Sequence, residues 1–230
     1  MHWYTETDLA ILYNNGDNTF DIVPIPAFIT GTINQIAVAD LDGDGWDDIV
    51  QMNFNSGESY ILWNMHDGNF EAMVLPGDVS FSSTFVAFGD LDQDGNLDLV
   101  VAAFFETNYI LLNNGDRTYQ KLELPSIPGT ASSECAVGDI NGDGILDIVM
   151  PNIIAPNELL LGDGVGGFNA TILPDGGNIG STKAMLADIS GNERLDIIIA
   201  NGLFDAVENN IILWNHPDET FTVSNLPGGK

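Results

Sequence analysis

Asp40-Leu41-Asp42-Gly43-Asp44-Gly45-Trp46-Asp47-Asp48 returns three more times along the chain, opening again at Asp90, Asp139 and Asp188, at intervals of 50, 49 and 49 residues. A fixed period of this length marks a repeat architecture, so every other segment is read as part of one recurring unit.

Carboxylates at positions 1, 3, 5 and 9 of such a loop gather hard oxygens round one point, and glycine at position 6 lets the backbone turn sharply. With the carbonyl of position 7 this is a donor set for calcium. The first loop offers Asp40, Asp42, Asp44 and Asp48 with the Trp46 carbonyl; the second offers Asp90, Asp92, Asp94 and Asp98 with the Asn96 carbonyl. The third offers Asp139, Asn141, Asp143 and Asp147 with the Ile145 carbonyl. The fourth is degenerate: Asp188, Ser190, Asn192 and Asp196 stand at the ligand positions, Glu193 replaces the glycine, and Arg194 at position 7 is placed to supply positive charge in place of a metal. Three calcium sites and a weak or empty fourth are expected. Asp-Gly loops are also ordinary turn formers, but turn chemistry alone does not keep one ligand spacing in register. The EF-hand shares the opening of the motif, yet it requires a glutamate at the twelfth place and flanking helices, and neither is present.

The chain has 230 residues, with 5 Lys and Arg against 34 Asp and Glu, for a formal net charge of −29. That charge disfavours nucleic acid and anionic membrane surfaces as partners. No apolar run has the length of a membrane span, and Met1 to Glu6 lacks the basic start and apolar core of a signal peptide. Cys135 is the single cysteine; lying in a strand-like run, it reads as a small buried apolar residue rather than a nucleophile.

Each unit carries four strand-like runs. The first, such as Ile36-Ala37-Val38-Ala39 and Cys135-Ala136-Val137-Gly138, precedes the acidic loop, with a small residue just before the first Asp. The second follows the loop and is apolar without alternation, as in Leu99-Val100-Val101-Ala102-Ala103, so both its faces are covered. The third ends in Asn-Gly or Asp-Gly hairpin signals, and the fourth runs from an aromatic residue to a proline, as in Phe70 to Pro76, where pairing must stop. Residues Tyr13, Trp63, Leu112, Leu161 and Trp214 are equivalent and form an expected core series. Four strands per unit at this pitch give an all-β fold, a β-propeller of four-stranded antiparallel blades. The single domain spans 1–230, with a partial N-terminal blade at 1–30 and complete blades at 31–80, 81–129, 130–178 and 179–230. This is either a five-bladed ring or a fragment of a larger ring.

The run Gly89-Asp90-Leu91-Asp92-Gln93-Asp94-Gly95-Asn96-Leu97-Asp98-Leu99-Val100, followed by Leu111-Leu112-Asn113-Asn114-Gly115-Asp116-Arg117-Thr118-Tyr119, resembles the FG-GAP and VCBS repeats related to the integrin α-subunit propeller. The resemblance covers nearly the whole chain. It implies a calcium-stiffened face formed by the first and third turns, and partners bound on the opposite face or between blades. It also implies an extracellular or cell-surface binding module for adhesion or carbohydrate recognition. A structural repeat domain that self-associates through its incomplete N-terminal blade, and a polysaccharide-acting enzyme, are the alternatives. No catalytic constellation supports the last: His2, His66 and His216 have no metal-ligand spacing, and Cys135 has no evident histidine partner. On the second turns, Tyr4, Phe54, Phe104 and Ile153 are equivalent and read as interblade packing, while Gly202 to Glu208 interrupts the repeat. Trp46 is expected to pack over its metal loop.

Overall fold

The apolar runs pair as their spacing dictates. In the computed structural model, which describes residues 10–24, 32–54, 57–77, 83–127, 131–174, 180–202, 209–218 and 220–226, all the regular structure is antiparallel β. Blade 1 contributes the hairpin β1 (Ala10–Asn14) and β2 (Phe20–Pro24). Blade 2 is β3 (Thr32–Ala39), β4 (Asp48–Phe54), β5 (Tyr60–Asn64) and β6 (Phe70–Val74). Blade 3 is β7 (Ser83–Gly89), β8 (Asp98–Ala103), β9 (Tyr109–Asn113) and β10 (Tyr119–Glu123). Blade 4 is β11 (Ala136–Gly138), β12 (Asp147–Met150), β13 (Glu158–Gly162) and β14 (Phe168–Ile172), and blade 5 is β15 (Ser181–Ala187), β16 (Asp196–Asn201), β17 (Ile211–Asn215) and β18 (Phe221–Asn225). Strands follow one another in sequence order across each sheet, as a meander. Tyr4 and residues 203–208 lie outside the described residues.

The two central strands of the blades are the most deeply covered: every residue of β8, β9 and β12 is buried. Blades stack face to face. Val50, Met52, Ile61 and Trp63 of blade 2 meet Val86, Leu99, Val101 and Leu111 of blade 3. Val100, Ile110 and Leu124 of blade 3 meet Cys135, Ile148 and Leu160 of blade 4, and Ile140, Leu159 and Leu173 of blade 4 meet Ala184, Ile197 and Leu213 of blade 5. At about 25 cal/mol per Å² of apolar surface removed from water, these interfaces supply the main favourable term of the fold. Pairing of the fourth strands extends one bond further, with the N–H of Leu75, Leu124 and Leu173 donating to the carbonyls of Ser59, Asn108 and Asn157, before proline ends it.

Two expectations need adjusting. Cys135 lies just outside β11 rather than within it, although it is buried, and burial pushes its thiol pKa far up. Of the expected core series, Trp63 and Leu112 are buried, Leu161 and Trp214 are half-buried, and Tyr13 is 42% exposed. On the second turns Phe54 and Phe104 pack edge to face across blades 2 and 3, with ring centroids 5.4 Å apart, as interblade residues do.

A buried polar chain crosses the blades on that side of the molecule. The Ala103 N–H donates to Asn108 Oδ1, Asn108 Nδ2 donates to Ser132 Oγ, and Ser132 Oγ donates to Asn152 Oδ1. The pattern repeats as Asn152 N to Asn157 Oδ1, Asn157 Nδ2 to Ser181 Oγ, and Ser181 Oγ to Asn201 Oδ1. These bonds satisfy groups that would otherwise be costly to bury, and they fix the register of blades 3, 4 and 5.

Candidate metal loops and an interblade cleft

Each acidic loop coils round its first aspartate. Asp40 Oδ1 accepts the N–H groups of Gly43 and Asp44 at 2.9 and 3.1 Å, and its Oδ2 accepts that of Gly45 at 2.9 Å. Asp139 and Asp188 do the same in their loops, and Asp90 accepts from Asp94 and Gly95. The position-5 side chains Asp44, Asp94, Asp143 and Asn192 accept the N–H of position 7, which is Trp46, Asn96, Ile145 or Arg194. The loop is therefore pre-shaped by its own side chains.

The ninth residue does something the spacing did not disclose. Asp48, Asp98, Asp147 and Asp196 are completely buried. One oxygen of Asp98 takes the Leu91 N–H at 2.7 Å and the other takes the Asn113 N–H at 2.8 Å. Asp48, Asp147 and Asp196 make the equivalent pair of bonds, to Leu41 and Asn64, Ile140 and Gly162, and Ile189 and Asn215. This aspartate thus ties the loop to the end of the third strand in all four blades, including the one whose ligand set is eroded.

Oxygens of Asp40, Asp42 and Asp48 lie within 4.8 Å of one another, as do those of Asp90, Asp92 and Asp98. Positions 1, 3 and 9 are brought together; the position-5 carboxylates are turned aside, Asp44 onto His66 and Asp94 onto the Asn96 amide. In the third loop the Asn141 amide donates to Asp143 at 2.8 Å. Burial raises the pKa of Asp48 and Asp147, and pushes that of Asp98 up to about 6 against the pull of its two N–H donors. Asp92 is raised by burial and then by Asp94. Crowded, desolvated carboxylates with hard oxygens fit a divalent cation of the calcium type.

These shifts carry a pH dependence for the calcium-free protein. The folded pKa of Asp98 stands above its unfolded value of 3.8, so the carboxyl stabilises the fold most below pH 3.8 and that contribution is lost as the pH rises through about 6. The loss amounts to about 3 kcal/mol. Urea unfolding in chelator is expected to show lower stability at pH 7 than at pH 4.5; equal or higher stability at pH 7 would remove this account of Asp98.

Neighbouring loops are tied together. Gln93 Nε2 donates to the Gly144 carbonyl, Asn113 Nδ2 donates to the Leu41 carbonyl, and Asn215 Nδ2 donates to the Ile140 carbonyl. Arg117 forks onto Asp42. Arg194 does not fold into its own loop as a stand-in cation; its Nη2 donates to the Asn141 carbonyl at 3.1 Å, and its Nε faces Asn215 Oδ1 at 3.5 Å. Trp46 is 53% exposed and stacks on His66, with centroids 5.3 Å apart.

A cleft of about 410 Å³ opens between blades 4 and 5, with Leu159, Leu161 and Phe221 on its apolar walls and Thr171, Arg194 and Thr220 among its polar groups. It exists because the repeat is trimmed there. Thr171 stands where blades 2 and 3 have Met73 and Leu122, and Leu161, like Leu112 of blade 3, stands where blade 2 has the larger Trp63. Between blades 2 and 3 the corresponding space holds buried Trp63 with the Arg117 guanidinium 4.9 Å over its ring.

No curated protein matches the sequence. Among solved structures, one of a lectin from Agrocybe aegerita, titled for its specific recognition of non-reducing terminal N-acetylglucosamine, superposes with a TM-score of 0.66 at 20% identity over 99% of this chain and 68% of the lectin. At that identity the likeness is one of fold. The FG-GAP-like repeat profile matches residues 2–51, 40–101 and 90–150. With acidic loops, four-stranded blades and face-to-face stacking in place, the chain belongs to the FG-GAP-like repeat family and is a β-propeller.

Proposed function

We propose that the protein is a calcium-stabilised, extracellular carbohydrate-binding module, with the cleft between blades 4 and 5 as its sugar site. The cleft carries this reading. Its volume lies in the range of small-ligand sites, and it combines apolar walls with a few convergent hydrogen-bonding groups. The C–H face of a sugar ring would lie against Leu161 and Phe221, while Thr171, Thr220 and the Arg194 guanidinium meet its hydroxyls. The family resemblance implies partners on the face opposite the acidic loops or between blades; the cleft is of the second kind, and it opens beside the fourth loop, whose Arg194 lines it. Erosion of that loop's ligand set thus goes with a second use. The fold likeness to a lectin adds support.

Calcium would be held by Asp40, Asp42 and Asp48, by Asp90, Asp92 and Asp98, and by Asp139, Asn141 and Asp147, with the position-5 and position-7 groups completing each set. It would supply positive charge that relieves the crowded carboxylates and stiffens that face.

Glycan-array screening followed by calorimetry tests the sugar site. Leu161→Trp puts the blade 2 side chain into the cleft and is expected to weaken glycan binding at least tenfold with the melting temperature retained. Unchanged binding in that variant would move the site elsewhere. The binding-module reading also predicts no polysaccharide turnover: of the described histidines, His216 meets Thr222 Oγ1 and His66 meets Asp44, and neither lines the cleft. A second reading, self-association through the terminal blades, is favoured by exposed Leu12, Ile22, Ile36 and Val38 at one end and Met185 and Ile189 at the other; sedimentation velocity decides it.

A further inference from the structure

Two of the hairpin turns that depart from the repeat serve the same acidic loop. Two residues past the third strand, blades 1, 3 and 4 carry Gly16, Gly115 and Gly164 at φ 82°, 76° and 76°, whereas blade 2 carries His66 at φ 62°. Four residues past that strand, blades 1, 2 and 4 carry Asn18, Gly68 and Gly166, whereas blade 3 carries Arg117 at φ 65°. A long side chain is strained in this left-handed backbone, and such strain persists where the surrounding contacts hold it.

Arg117 is held on three sides. Its Nε and Nη2 donate to Asp42 Oδ2 at 2.9 and 2.6 Å, its guanidinium lies over the Trp63 ring, and its Nη1 stands 3.7 Å from Glu71. Asp42 Oδ1 already accepts nothing stronger than the Asp44 N–H at 3.2 Å, so the guanidinium dominates this carboxylate. His66 adds a second contact to the same loop, at Asp44. The second loop has the same triad of positions 1, 3 and 9, yet among the described residues no lysine, arginine or histidine pairs with Asp90, Asp92, Asp94 or Asp98.

We propose that Arg117 is a tethered cation that competes with calcium for Asp42, so that the first acidic loop fills only after the second. The inference rests on the calcium reading above. Two charge-assisted hydrogen bonds occupy Asp42 Oδ2 and leave only Oδ1 for a metal, and a guanidinium at that distance repels a divalent ion. Because Arg117 belongs to blade 3 and Asp42 to blade 2, calcium entry at the first loop exchanges a tie between blades for a metal within one blade. The two otherwise similar sites are therefore graded, and the weaker one is coupled to the blade 2–blade 3 contact.

The test uses Arg117→Gly, which installs the residue that blades 2 and 4 carry at this turn. Terbium is the probe for the first loop, since Trp46 occupies position 7 there while Asn96, Ile145 and Arg194 do so elsewhere; loss of the sensitised emission in Trp46→Phe assigns it. Arg117→Gly is expected to raise first-loop affinity about tenfold, both for terbium and for calcium displacing it. Calorimetry should show the tightest calcium site, at the second loop, unchanged. In chelator the variant should melt lower than the parent, having lost the interblade tie. First-loop affinity that stays the same or falls while metal still binds would overturn the role of Arg117 and leave the calcium reading intact. Absence of metal binding at every loop in both proteins would overturn both.

Discussion

Saturating calcium is expected to raise the melting temperature by about 15 °C or more over the same protein in chelator. A ligand that binds only the folded state at about a hundred times its dissociation constant contributes about 2.7 kcal/mol, and three loops carry the donor set. In a chain of this length, each kcal/mol moves the midpoint by about 2–4 °C. The physical source is the crowding of carboxylates, the ninth-position one fully buried, in a chain of net charge −29. Magnesium is the control: it demands a smaller octahedral shell and keeps its waters, so it should recover little of the stabilisation. A scan that superposes in calcium and in chelator would contradict the expectation.

Asp98→Ala is expected to cost about 3–6 kcal/mol in calcium, because it leaves the buried N–H groups of Leu91 and Asn113 without an acceptor and removes a proposed calcium ligand as well. Asp196→Ala breaks the corresponding bonds to Ile189 and Asn215 in a loop whose ligand set is eroded. The pair separates the two roles of the ninth residue. The penalty for Asp98→Ala should be larger in calcium than in chelator, whereas that for Asp196→Ala should be the same in both. Equal calcium dependence in the two variants, read by urea unfolding, would mean that Asp98 is structural only.

The blades and their acidic loops were legible because their determinants are local. Ligand spacing, hairpin signals and closing prolines all lie within a few residues, and the repeat averages out accidents at any one copy. What escaped depends on juxtaposition. The double acceptor role of Asp98 joins it to residues 7 before and 15 after it, which share nothing in sequence that announces the contact. The polar chain from Asn108 to Asn201 could have been suspected from Asn and Ser recurring at equivalent places, yet only the stacking of blades shows that they touch. The cleft is made by smaller side chains, and aligning Thr171 with Met73 and Leu122 shows the difference in size without showing the space it leaves. Charge alone puts Arg194 in its own loop, but its length lets it reach the Asn141 carbonyl of the preceding blade. Nothing in the hairpin around Arg117 announces its partner, since Asp42 lies 75 positions away.

A calorimetric calcium titration of the metal-stripped protein tests the central claim most directly. The account predicts three ions per chain with unequal affinities, the tightest at residues 90–98 and none at residues 188–196. No binding heat, or four equivalent sites, would contradict it: the first would reduce the acidic loops to turns, and the second would remove the distinction between the fourth loop and the others.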